Sequence, residues 1–387
     1  MTSAVPAPDG AAAVAEAIAR LPRVADLLAA RAEEHDRDGT FPYQGVEAVH
    51  EAGLLTLTVG RRHGGPGAGL ADTVRVLAGL GRGDASVAVL TAHTLLLHAE
   101  HDRDGLWPAP AYRRLLTESR RGPALLATLR PTPGRPAVTA HWDGENWQLT
   151  GHESDCSGAE ALAWLAVPAR TDEPIPRTGL FLVRGDSPGL EIDPVGDQLG
   201  LRASAGHDLV LDGVPVAPAY AVRLTPPGHA APERRAADAT ARAWHDLALA
   251  AVQLGTARAA QDWLIRFLQQ RTPANLTEPL AALPRYRAGL GEIEASLTGA
   301  EELLGALADA VDRDVPGAAG RTAAGQLLAV RAATAAVQRA VALTGNPGLS
   351  RRHPLERYLR DALSGRMHLP AEETVLDEIG RAARERG

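Results

Sequence analysis

The sequence predicts an α+β fold in three parts: an N-terminal α-helical domain (residues 1–122), a middle β-barrel or sandwich domain (123–225) and a C-terminal four-helix bundle (237–387). Three observations predict it. Ala-rich text with apolar residues at helical spacing occupies both ends of the chain. From Ala124 the period changes, and short apolar runs alternate with turn residues. Leu290, Ile293, Leu297, Ala300, Leu304, Leu307 and Val311 then recur at steps of three and four, the seam of a packed bundle.

In chain order, helix is expected over 11–35 and 44–120, broken once at Gly64-Gly65-Pro66-Gly67. Strands are expected over 125–130, 137–142, 147–151, 161–169, 179–183 and 208–211. Asp143-Gly144 is a hairpin signal between two of them. Pro226 to Pro232 reads as a linker, after which helix returns.

Composition narrows the function. With 45% hydrophobic and 22% charged residues, the 387-residue chain is of ordinary globular type. No run of 18 or more apolar residues appears, and Met1 to Leu21 lacks the pattern of a signal peptide, so a cytoplasmic protein with no membrane partner is expected. All 40 basic residues are arginine, which excludes a lysine Schiff base, a phosphate-loop lysine and a lysine general base. A net charge of −7 with 4% aromatics argues against nucleic acid. The single cysteine, Cys156, excludes a disulfide framework and is expected as a small packed residue. His93, His98 and His101 share one helix but lack a completing carboxylate, so surface histidines are expected there and no metal.

Several segments carry a resemblance in matching order. They are Ala52-Gly53-Leu54-Leu55, Arg62 to Gly67, Val195 to Ser204 with Val214-Pro215-Val216, Arg271, and a Gly345 to Gly348 turn followed by Arg360-Asp361. Together they resemble the acyl-CoA dehydrogenase superfamily over nearly the whole chain. The resemblance implies the helices–β–helices fold, a homodimer or homotetramer, and FAD or FMN held across a subunit interface. Arg271 then matches the arginine that reaches the flavin pyrophosphate of a neighbouring subunit, and Gly345, Leu129 and Ser157 fall at flavin-site positions.

The same alignment marks departures. The family's Tyr-Glu-Gly-Thr, with the catalytic glutamate, falls on His368-Leu369-Pro370-Ala371, so the glutamate is Leu369. Thr-Glu-Pro and Gly-Ser-Asp fall on Leu129-Arg130-Pro131 and Gly134-Arg135-Pro136, and Trp-Ile-Thr on Asp155-Cys156-Ser157. A leucine cannot take the α-proton of an acyl thioester. Cys156-Ser157-Gly158-Ala159 looks more like the Ser-Gly turn of the flavin monooxygenases built on this fold, such as dibenzothiophene monooxygenase and the amino-sugar nitrososynthases. These lack the glutamate and use oxygen with reduced flavin from a separate reductase.

The leading expectation is therefore a two-component flavin monooxygenase on a small organic or carrier-bound substrate, with His93, Ser157 and His368 at its reactive centre. The alternatives are an acyl-CoA or acyl-carrier-protein dehydrogenase with a displaced base, for which Glu292, Glu294, Glu301 and Glu302 are options, and a flavin-free relative. Each residue also has a plain structural reading. A histidine on an apolar helix face is more often a satisfied core residue, and Ser157 can be an ordinary turn residue.

Overall fold

The computed structural model describes residues 10–129, 138–195, 197–226 and 232–385. The N-terminal part holds α1 (Gly10–Asp38), α2 (Tyr43–Glu51), α3 (Leu70–Gly83), α4 (Ala85–Asp104) and α5 (Ala109–Glu118). The expected helix over 44–120 is thus broken at more places than the Gly-Gly-Pro-Gly turn. Asp84 leaves helical geometry and caps α4, accepting hydrogen bonds from the Ser86 and Val87 amides at 2.7 and 3.2 Å. Gly105 ends α4 in the left-handed region at φ 62°, where its missing side chain removes the steric penalty. Helix α4 is buried on nearly all sides, the property of a central helix rather than an amphipathic one.

The middle part is one sheet of eight strands: β1 (Leu125–Thr128), β2 (Val138–Trp142), β3 (Trp147–Cys156), β4 (Leu162–Thr171), β5 (Thr178–Arg184), β6 (Leu190–Asp193), β7 (His207–Val216) and β8 (Ala221–Thr225). Its order is β6-β7-β3-β2-β4-β5-β8, with β1 also on β4. Strands β1 and β2 both run parallel to β4, at its two ends: Leu125 pairs Leu162, and Val138 pairs Ala169. The hairpin expected at Asp143-Gly144 joins β2 to β3, and the Asp143 carboxylate accepts from the Glu145 and Asn146 amides at 2.8 Å. Strands β6 and β8 were not expected. The linker expected at Pro226 to Pro232 falls largely on residues 227–231, outside the described residues.

The C-terminal part holds α6 (Pro232–Gln270), α7 (Pro284–Asp312), α8 (Thr322–Thr344), α9 (Leu355–Ser364) and α10 (Glu372–Arg384). Every residue of the α7 stripe from Ile293 to Val311 is buried, and Leu290 is partly so. Ala319–Thr344 is long and apolar enough to cross a membrane, but it packs on α6, α7 and α9. Helix α3 lies along α6, and α4 packs on both α6 and β1, so the three parts share one apolar core.

Arg360 and Asp361 tie these parts together. The Arg360 guanidinium pairs with Asp36 of α1 at 2.6 Å and Glu356 at 2.8 Å, and donates to the Leu199 carbonyl at 2.9 Å. Buried Asp361 accepts from the Leu201 amide at 2.8 Å. A Cβ on Gly200 would stand 2.4 Å from the Arg360 carbonyl group, so only glycine permits this approach. The segments at 195–204 and 360–361, which both carry the resemblance, are one structural contact.

Candidate active site

A cavity of about 380 Å³ opens where α4, β1, α6, α8 and the segment after α9 converge. Its walls are apolar at Leu96, Leu97, Ala241, Ala323, Pro370 and Val375, and polar at His93, Glu100, Arg103, Thr128, His245, Asp246, Gln326 and Glu378. That size and mix suit a small organic molecule.

His93 reaches this cavity because α4 is held on its N-terminal side by the Asp84 cap and on its flank by β1. His368 ends the short turn Gly365–His368 after α9 and stands edge-on to His93, with ring centroids 5.8 Å apart and planes at 64°. Both rings are half-buried. The expectation that 93 and 368 converge is met in space.

Ser157 lies in the turn after β3. Asp155 adopts φ 56° there, its amide donating to Asp208 at 3.1 Å, and Gly158 adopts φ 79°. The Gly158 amide donates to the Ser204 carbonyl at 2.7 Å. A Cβ on Gly158 would lie 2.9 Å from a Leu90 methyl, one helical turn before His93, so the turn presses on α4. Ser157 is 6% exposed, and its hydroxyl has no hydrogen-bond partner among the described residues. Leu129 is buried at the end of β1, its amide donating to the Ala166 carbonyl at 3.0 Å. Arg130, Pro131, Gly134, Arg135 and Pro136 lie outside the described residues.

Arg271 and Gly345 are not drawn into the cavity within one chain. They stand exposed beyond the C-terminal ends of α6 and α8, and Gly345 adopts φ 66° with open space around it.

Leu369 is buried in the main apolar core, and it is Pro370 beside it that lines the cavity. The four glutamates of α7 do not line the cavity either. Glu294 and Glu301 pair with Arg258 at 2.6 and 2.5 Å, Glu292 pairs with Arg339 at 2.8 Å, and Glu302 is exposed. The carboxylates that do line it, Glu100, Asp246 and Glu378, were not anticipated, nor were Arg103, His245 and Gln326. The one signal for them is the His245-Asp246 pair in an otherwise Ala- and Leu-rich stretch. Asp246 is 1% exposed and accepts from the Thr322 hydroxyl at 3.5 Å.

Two expectations about single side chains are settled. Cys156 is buried, and burial with nearby Glu153 pushes its thiol well above the usual range, so it is a packed residue and no nucleophile. His98 and His101 are not surface residues: they are 0% and 5% exposed, packed against Tyr112. The expected polar face failed because α4 has no solvent side there. On β3, Glu153 is buried with one carboxylate oxygen unpartnered, and burial pushes it up to about 7.

Residues 13–101 match the family described as acyl-CoA dehydrogenase, N-terminal domain, and 247–373 match acyl-CoA dehydrogenase, C-terminal domain. A Bacillus subtilis protein named provisionally as an acyl-CoA dehydrogenase is 29% identical over 374 residues, covering 94% of this chain and 95% of the relative. An L-evernosamine nitrososynthase of a Micromonospora species is 30% identical over 370 residues, covering 88% of this chain and 85% of the relative. A solved structure of KijD3 with FMN and a dTDP-linked 3-amino-4-keto sugar superposes with a TM-score of 0.83 at 27% identity, covering 99% of this chain and 95% of that one. The chain belongs to the acyl-CoA dehydrogenase family.

Proposed function

We propose that this chain is a flavin-dependent monooxygenase that takes reduced FMN or FAD from a separate reductase and oxygenates a small organic molecule. The observation that carries the reading is the His93–His368 pair beside the cavity, with buried Leu369 where the family's dehydrogenases place a carboxylate. The nitrososynthase relative and the FMN complex of KijD3 support it.

The residues fit a flavin. The Ser157 hydroxyl, without a hydrogen-bond partner among the described residues, and the buried Leu129 side chain would hold the ring. Arg271 and Gly345, exposed and remote from the cavity of their own chain, would serve the phosphate end of a flavin in a second copy, in a homodimer or homotetramer. Bound reduced flavin supplies the two electrons that activate dioxygen. One oxygen atom enters the substrate and the other leaves as water. An imidazole N–H of His368 or His93 delivers a proton to the departing oxygen, which an imidazole near neutrality does well. The apolar walls and Pro370 exclude water, and Leu369 keeps a negative charge away from the reacting oxygen.

A second reading rests on a different observation. His245 and Asp246 line the cavity from α6, where a displaced base for acyl-thioester dehydrogenation could stand. Two measurements separate the readings. Supplied with a flavin reductase, NADH and ¹⁸O₂, the enzyme should place label in a product from a panel of amino-sugar nucleotides and small heterocycles. Anaerobic mixing of the oxidised holoprotein with saturated acyl-CoAs should leave the flavin yellow. Rapid bleaching, with no labelled product, would transfer the assignment to the dehydrogenase. Failure of added FMN or FAD to bind at all would favour the flavin-free alternative.

A further inference from the structure

A second cavity, of about 660 Å³, shares no lining residue with the first. It lies between α5, the end of α4 and the turn at Arg61–His63. Its floor is aromatic. Tyr112 packs on His101 with centroids 3.7 Å apart and on Trp107 at 6.5 Å. These rings are fixed: the Tyr112 hydroxyl is 3.0 Å from His98 Nδ1, and the Trp107 amide donates to His101 Nδ1 at 3.0 Å. The rim carries Arg62, Arg113 and Arg120, and no carboxylate lines the cavity among the described residues.

The arginines divide into two kinds. Arg62 is anchored, pairing with Asp102 at 3.1 Å and donating to the His101 carbonyl at 3.1 Å. Arg113 and Arg120 are exposed and form no ion pair or side-chain hydrogen bond among the described residues. Arg113 and Leu116 lie on α5 and Arg120 in the turn that follows it, and all three line the same space. Burial pushes His101 down to about 4, so the positive charge here belongs to arginine alone at neutral pH.

Planar, always-charged guanidinium groups pair with phosphate oxygens through parallel hydrogen bonds, and fixed aromatic faces accept a flat ring. We infer that this cavity binds a nucleoside phosphate, its base on the Trp107–Tyr112–His101 floor and its phosphates on Arg113 and Arg120. The inference does not depend on the reaction proposed for the first cavity.

The test is calorimetric titration of the full chain saturated with FMN, so that the flavin site is filled, using ADP, GDP, CDP and UDP as probes. At least one should bind saturably. Arg113→Gln/Arg120→Gln, at two exposed positions, should weaken it about 30-fold or more while FMN affinity is unchanged. The matching nucleoside and inorganic phosphate should each bind at least about tenfold more weakly. Binding by none of the four, binding undiminished in the double variant, or phosphate binding as tightly as the nucleotide would each overturn the assignment.

Discussion

His93 on α4 and His368 after α9 meet edge to face, ring centroids 5.8 Å apart, although one comes from the first quarter of the chain and the other from its end. Edge-to-face rings hold each other's orientation through the attraction of one ring's edge for the other's face. His93→Ala and His368→Ala should each lower oxygenated product about 100-fold and divert reducing equivalents to hydrogen peroxide. A peroxidase-coupled assay of peroxide per NADH consumed measures this. Unchanged coupling in both variants would remove these rings from proton delivery.

Leu369→Glu should not create a dehydrogenase. The side chain packs against the apolar core, 8% exposed, and a carboxylate there loses most of its hydration. The variant should lose at least about 2 kcal/mol of stability in urea titrations and leave the flavin unbleached by acyl-CoAs.

Glu153 offers a pH test with a definite sign. Its folded carboxyl is raised from 4.5 to about 7, so the stability linked to its neutral form is complete below 4.5 and lost as pH rises through 7. Glu153→Gln keeps the neutral shape. Relative to wild type it should gain about 2–3 kcal/mol between pH 5 and pH 8, read from denaturant midpoints at both pH values. A pH-independent difference would show that the carboxylate finds a partner.

Arg271→Ala should weaken flavin binding by about 1.5–3 kcal/mol, the worth of a charge-assisted contact, with little change in stability because the residue is exposed. Flavin fluorescence titration checks it, and equal affinities would separate Arg271 from the cofactor.

Gly200→Ala should cost about 1–3 kcal/mol, since its Cβ would stand 2.4 Å from the Arg360 carbonyl group. Thermal unfolding measures the loss. A neutral result would mean that α9 shifts freely against the 195–204 segment.

The α7 stripe was legible because its step of three and four belongs to the sequence itself, and its members from Ile293 onward are buried. Strands β6 and β8 were not legible. They are four and five residues long, β6 is largely exposed, and neither alternates cleanly. His93 in the cavity wall and His368 beside it were named from the resemblance, whereas the cavity residues Glu100, Arg103, His245, Asp246, Gln326 and Glu378 were not. Their convergence depends on how α4, α6 and α8 cross, and α4 is buried on nearly every side, so no face of it announces itself. Leu369 was set at the glutamate position by resemblance alone, and packing shows that it is buried in the core and not among the residues lining the first cavity.

The Arg360–Asp36 pair joins positions 324 residues apart, and Asp361 reaches back 160 residues to Leu201. Contacts of such sequence separation close last, because the chain between them must first surrender its loop entropy. The segment that delivers His368 is therefore seated only when the end of the chain meets its first helix. A growing chain on the ribosome holds α4 and the sheet long before it holds a reactive centre. A partly made or C-terminally clipped molecule therefore lacks the His93–His368 contact.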